Sequence, residues 1–363
     1  DEFTILLSDF NKPEEISEIM AKLFGVLQSP LRIKGNEFFV TTSIGISIYP
    51  DNGNTPEILL RNADTAMYRA KEKGRNGFEF YTEDMTEVAL EKVQMIANLN
   101  RAMEKDEFEV YYQPQYDIRH KQLTGLEALV RWHHPTLGLI YPEQFLPFAE
   151  ESGLIVALDR WTMRQSMQQL KLWEKLGFQP GRLSMNLTMQ QIDQSDFLHF
   201  LVGLMSETDC DGASIGFEIT EGQLMKDPIR TIEVLSHISD LGIKIAVDDF
   251  GTGYSSLAYL KKLPVDTLKI DKEFIRDLPG DADDISIVRS IIALAKSMRI
   301  DVLAEGVETD QQLQFLDAEG CGLIQGFLLS RPKPAAEIPA CANYPLKPAH
   351  VASVTKLKVG VNL

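Results

Sequence analysis

Short apolar runs punctuate the chain from Glu107 onward, each followed by a longer stretch with helical spacing. The runs read "FEVYYQP", "GLEALVRW", "LSMNLT", "IGFEIT", "KIAVDDF", "TLKIDK", "VLAEGVE" and "LIQGF". Runs of this length, rich in β-branched and aromatic residues, predict buried strands. Segments such as "ALDRWTMRQSMQQLKLWEKLG" and "DDISIVRSIIALAKSMR" between them predict helices. Eight strands alternating with helices point to an α/β fold, a (β/α)8 barrel. A doubly wound sheet competes, but no strand runs into GxGxxG. The link from "YYQP" to "GLEAL" is too short for a crossover helix, so these two strands should pair antiparallel and make the barrel irregular.

Residues 1–82 follow another pattern. A short strand (Glu2 to Leu7), a helix (Pro13 to Leu27), a strand pair around "FFVTTSIGISIY", a second helix and a last strand, "GFEFY", predict a small α+β unit. Thr55 is placed to N-cap the second helix, Pro56 to open it and Gly74 to end it. Residues 83–105 predict one linker helix, with Val88, Met95, Ile96, Leu99 and Met103 as its apolar stripe. The barrel is expected over 106–340, and 341–363 as a tail without a clear core.

Composition narrows the function. Of 363 residues, 44% are hydrophobic and 25% charged, and no apolar run reaches the roughly 18 residues of a membrane span. The net charge of -17 argues against a nucleic-acid duplex as partner. Three scattered cysteines without CxxC suggest a reducing compartment, and we expect a cytoplasmic protein. The chain opens at Asp1 rather than Met, so we read it as a piece of a longer protein, with room for a membrane tether or sensory segment upstream.

Seven consecutive strands, from the second onward, contain or end in a residue that a buried strand should not carry. They are Glu127, Asn186, Glu218, the pair Asp248 and Asp249, Lys269, Glu305 and Gln325. In a barrel, strand C-termini converge on one face. Independent loop-entry polar residues are the bland alternative, but the flanking residues are strongly apolar. Carboxylates with an amide carbonyl are hard oxygen ligands suited to Mg²⁺ or Mn²⁺, and they cannot remain ionised side by side without a cation. Two adjacent aspartates could bridge a pair of ions about 3.5–4 Å apart. Lys269 could orient an attacking water, offset phosphate charge, or balance the acids in a salt bridge. Arg131, four residues after Glu127, suits a phosphate oxygen or a surface ion pair. His133 and His134 read as loop residues before Pro135.

These residues also carry a resemblance. "EALVR" is the signature of the EAL-domain cyclic-di-GMP phosphodiesterases. "YYQP", "MNLT", "FEITE", "DDFGTGYSSL", "LKIDK", "AEGVET" and "QGF" resemble that family's other motifs, in order, over about residues 90–335. The resemblance implies Glu127, Asn186, Glu218 and Asp248 as ligands of a first metal, with Asp248 and Asp249 serving a second. It implies Lys269 as the catalytic lysine, and Glu305 and Gln325 as holding metal or water. Glu221 would brace the loop from Asp249 to Leu257, with Gly251 and Gly253 permitting its turn. Gln113 and Arg131 would contact substrate. One departure stands in "GCGLIQGF", where Gly322 replaces the usual aspartate. Residues 1–82 resemble the second half of a GGDEF domain at "DEFTILL", "TTSIGISIYP" and "NADTAMYRAKEKGRNGFEFY", without that family's catalytic start. The implied activity is hydrolysis of cyclic-di-GMP to linear 5′-pGpG with two Mg²⁺ or Mn²⁺ ions, in a homodimer formed through the barrel. A catalytically weak cyclic-di-GMP receptor is the alternative.

Overall fold

The computed structural model describes residues 3–8, 12–27, 30–224, 227–253 and 257–343. Most of the expected tail therefore lies outside the described residues, as do Asp1 and Glu2. Two compact units divide at Ala97 and Asn98.

In the first unit, the helix Pro56–Glu72 begins as its sequence requires. The Thr55 hydroxyl accepts the Ile58 N–H at 3.4 Å, and Gly74 follows the helix at φ +118°. Two expectations fail here. Residues 3–8 are not in a strand. The "FFVTTSIGISIY" segment does not pair with itself either. Asn36–Phe38 pairs with Leu31–Ile33, while Ile44–Ile46 pairs in parallel with Phe78–Phe80. The tight Lys34-Gly35 turn, with both residues at positive φ, closes the first hairpin locally. A helix runs over Glu83–Glu104; on its expected stripe Leu99 is buried, but Val88 is exposed.

The second unit is a closed eight-stranded barrel. Its strands are β1 (Phe108–Asp117), β2 (Gln122–His134), β3 (Arg182–Asn186), β4 (Ile215–Thr220), β5 (Lys244–Phe250), β6 (Thr267–Ile270), β7 (Asp301–Ala304) and β8 (Leu323–Ile324). β2 to β8 run parallel in sequence order. β1 closes the barrel antiparallel to both β2 and β8. The four-residue turn between β1 and β2 imposes this direction, as expected. Because helices cover the barrel outside and side chains fill it inside, the strands are apolar on both faces. Leu183, Met185, Phe217, Ile245, Val247, Leu268 and Ile270 are all buried. The helix Ile155–Lys175 packs Met163, Met167, Leu170 and Trp173 at helical spacing against this cylinder.

β2 continues through His133 and His134, which were expected in a loop. They pair with the strand Gly138–Ile140, and the His134 ring accepts the Leu137 N–H at 3.1 Å. Ile338 and Cys341, placed at the margin of the tail by their sequence, are buried, and the Tyr116 hydroxyl donates to the Cys341 carbonyl at 2.8 Å. Among the described residues, no helix is long and apolar enough to cross a membrane.

Candidate metal and phosphoryl-transfer site

The C-terminal ends of the parallel strands bring the polar residues together. Register does this directly: Asn186 of β3 lies opposite Glu218 of β4, and Gln113 of β1 opposite Glu127 of β2. Glu305 and Gln325 stand one residue beyond β7 and β8.

Lys269 is the centre. Its side chain is 1% exposed and its Nζ contacts the Glu218 carboxylate directly. Glu305 lies at 2.7 Å, Asp248 at 3.0 Å and Glu127 at 3.6 Å. Burial pulls the ammonium toward neutrality, but four carboxylates outweigh it and hold the pKa well above that of an ordinary lysine. Burial, with the charge of Glu127, pushes Glu218 up to about 8. Glu305 is raised well above its usual range, first by burial and then by the surrounding acids. One ammonium does not neutralise the group.

The two adjacent aspartates reach this cluster through a bulge. β5 and β6 pair regularly at Val247 and Leu268, then shift register before Phe250 and Ile270. Asp249 takes φ +52° inside that irregularity, and Gly251 takes +105°. A bulge breaks the two-residue alternation, so neighbouring side chains can serve one site. Asp249 is thus a bulged strand residue rather than a loop residue. Gly253, expected to supply the turn's freedom, does not sit at positive φ. It is needed for closeness instead, since a Cβ there would lie 3.1 Å from the Glu221 carboxyl carbon. Glu221 is buried and accepts the Gly251 N–H at 2.8 Å and the Gly253 N–H at 3.4 Å. Tyr254, Ser255 and Ser256, the rest of the expected loop, lie outside the described residues.

Carboxylate oxygens of Glu127, Glu218 and Asp248 lie within 4.8 Å of one another, as do those of Asp248, Asp249 and Glu305. Asp248 belongs to both groups. The Asn186 amide nitrogen faces Glu127 at 3.4 Å, leaving its oxygen for a cation. Burial and the neighbouring Asp248 push Asp249 up to about 7. Surplus buried negative charge and an all-oxygen donor set fit hard divalent cations, and two groups sharing a carboxylate fit a pair of them.

Gln325 differs from its expected role. Its amide nitrogen donates to Glu127 and, at 3.0 Å, to Gln113, while its oxygen accepts from Gln115 at 2.9 Å. It holds a carboxylate rather than presenting an oxygen to a metal. Gln115 was missed by sequence reading, although its place two residues after Gln113 puts both on one strand face. Asp159 was missed because it looks like an ordinary helix residue.

Beside the cluster opens a cavity of about 550 Å³, lined by Gln113, Glu127, Arg131, Glu305, Gln325 and Phe327 among others. The Arg131 guanidinium is flanked by the Tyr111 and Tyr141 rings, 5.7 and 5.3 Å from their centroids. Among the described residues, one of its donors is committed to protein, at Val130 O.

Residues 96–332 match the model of the EAL domain, more than half of the chain. The chain belongs to the EAL-domain family. Residues 1–77 match the diguanylate cyclase GGDEF domain. MucR of Pseudomonas aeruginosa, described as a bifunctional diguanylate cyclase and cyclic di-GMP phosphodiesterase, is 39% identical over 338 residues, which are 93% of this chain and 49% of MucR. PdeR of Escherichia coli, a cyclic di-GMP phosphodiesterase, is 37% identical over 336 residues, 92% of this chain and 50% of PdeR. The chain thus spans about half the length of these curated relatives. Among solved structures, the MucR phosphodiesterase in its c-di-GMP complex superposes with a TM-score of 0.66 at 39% identity, covering 68% of this chain and 99% of that one. The EAL enzyme Bd1971, bound to cAMP and cyclic-di-GMP, reaches 0.69 at 30% identity, covering 81% and 77%.

Proposed function

We propose that the barrel is a phosphodiesterase that hydrolyses cyclic-di-GMP to linear 5′-pGpG. The observation that carries this reading is the pair of carboxylate groups sharing Asp248 beside an arginine-lined cavity. Glu127, Asn186, Glu218 and Asp248 would hold one Mg²⁺ or Mn²⁺ ion, and Asp248 and Asp249 a second. Two such ions supply a water nucleophile at neutral pH and positive potential for the phosphoryl oxygens.

The chain's own residues do the rest. Arg131, with its guanidinium plane fixed between two tyrosines, offers its remaining N–H groups to a non-bridging phosphate oxygen. Gln113 supports the same wall of the cavity. Lys269, kept protonated by its acids, donates hydrogen bonds and stabilises charge developing on phosphorus. Glu305, in contact with Lys269, orients the attacking water. Gln325 keeps Glu127 in place, and Glu221 keeps the Asp248–Asp249 bulge shut. Attack forms one water-oxygen-to-phosphorus bond as the water gives up a proton, the bond to the ribose 3′ oxygen breaks, and that oxygen takes up a proton, so that one water is consumed overall. A cavity of this size lies within the range of small-molecule sites.

Purified protein with Mg²⁺ should convert cyclic-di-GMP to pGpG, and Glu127→Ala should abolish conversion. Absence of turnover with either ion across several pH values would sink the reading. We further propose a cytoplasmic setting and a homodimer through the barrel; light scattering that returns one copy in solution would remove the latter.

A further inference from the structure

We propose that Asp159 is a positioning residue for the Asn186 end of the site, acting through the turn that follows β3. The proposal rests on the reading of this barrel as a metal-dependent phosphodiesterase in which Asn186 serves a cation.

Asp159 lies on the helix Ile155–Lys175, on the face that buries Ile155, Leu158 and Met163. An acid on an apolar, buried helix face is costly unless its oxygens are satisfied. The satisfaction comes from one residue. The Thr188 hydroxyl donates to the Asp159 carboxyl at 2.6 Å. Thr188 in turn N-caps the short helix Met189–Ile192 by accepting the Gln191 N–H at 3.4 Å. Thr188 is two residues from Asn186.

Asn186 has little else to hold it. Its side chain is exposed and, among the described residues, makes one long hydrogen bond, to Glu127. Its place is therefore set by its backbone. The backbone is pinned on one side by the Leu187 N–H, which donates to Glu218 O at 2.9 Å, and on the other by Asp159. The same turn is tied to the helix Pro142–Ser152, since Gln190 donates to Glu150 O at 2.8 Å. Pro142, Glu143 and Leu146 of that helix line the cavity. Asp159 thus stands where the cavity wall, the Asn186 turn and the barrel meet. Groups that orient metal ligands from behind commonly control metal affinity tenfold or more.

The test uses the whole chain, with Mg²⁺ alone as the calorimetric probe and pGpG formation against Mg²⁺ concentration as the kinetic one. Asp159→Ala should weaken Mg²⁺ binding about tenfold and raise the Mg²⁺ needed for half-maximal turnover equally. Thr188→Val, which removes the hydroxyl at nearly constant volume, should weaken binding by a similar factor. Asp159→Asn retains an acceptor for Thr188 and should stay within about threefold of wild type. Variants that melt earlier but bind Mg²⁺ like wild type overturn the proposal, because a merely structural residue would behave so. Should Asp159→Ala fail to fold, Thr188→Val decides. Wild type that binds Mg²⁺ without turnover overturns the phosphodiesterase reading and leaves the brace to be judged by calorimetry; wild type that binds neither Mg²⁺ nor Mn²⁺ overturns both.

Discussion

Two turns deliver the site's oxygens, and each is held by a buried acid, but the two grips differ. After β5 the backbone is strained: Asp249 sits at φ +52° and Gly251 at +105°. Among the described residues, Glu221 secures this turn through two backbone N–H groups. After β3 the backbone is ordinary, with Thr188 at φ -82°, and Asp159 secures it through a side-chain hydroxyl. A strained turn is best held through backbone donors, which only a proline would remove. A relaxed turn can be held through a side chain. The difference teaches that the Asp248–Asp249 end is built for a bent geometry that collapses without Glu221, while the Asn186 end is only tuned by Asp159.

The largest expected effect removes what both turns serve. Lys269→Met should lower turnover by roughly 10²–10³-fold, as loss of one buried charge-stabilising donor does. It should also lower the melting temperature of metal-free protein, by leaving four acids facing one another; unchanged melting would show that the lysine does not balance them. Next, Glu221→Ala should cost up to about 100-fold in turnover, more than Asp159→Ala. An effect of Asp159→Ala as large as that of Glu221→Ala would erase the distinction between the turns. Gly251→Ala should destabilise by about 1–3 kcal/mol, since the new Cβ would lie 2.8 Å from Phe274 Cε2 at an unfavourable φ; denaturant melts measure it.

A pH test separates the acids further. Burial pushes Asp159 up to about 7 from the ordinary 3.8 of an aspartate, with Thr188 opposing the rise and Glu150 adding to it. A carboxyl whose folded pKa is raised contributes stability that is full below its unfolded pKa and lost as pH climbs through the folded one. The window is therefore pH 4 to 7. Asp159→Asn should gain on wild type in melting temperature by several degrees across that window, and a gap that does not change with pH would refute the buried-acid account. The smallest effect belongs to Gly322. Its Cβ position lies 3.5 Å from Arg119 Cδ, so Gly322→Asp should place a carboxylate beside a half-exposed guanidinium. Less than about 1 kcal/mol and no change in turnover are expected.

Much of this was legible without coordinates. Strand runs, the antiparallel start, the Thr55 cap and the ordered polar residues all follow from local chemistry. Other features escaped for physical reasons. His133 and His134 look like loop residues before Pro135, yet a hairpin partner extends their strand. Gln325 reads as an oxygen ligand, yet which end of an amide faces which neighbour depends on Gln115 and Glu127, far away in sequence. Residues 3–8 have the right side chains for the expected strand, but β-structure forms only with a partner strand, and no strand among the described residues pairs with them.

The sequence by itself determined which chemistry is available: hard oxygen donors, one lysine and one arginine, each at the end of a run that must be buried. Alternation within a strand and caps at helix ends are short-range effects, so they can be read residue by residue. Tertiary structure alone decided that acids from β2, β4 and β5 and from just beyond β7 meet on Lys269. It also decided that Asp249 turns into the same site by a bulge, and that Asp159 holds a threonine 29 residues further on. Those outcomes depend on strand register and on the low dielectric of a closed barrel, which exist only once distant segments have packed.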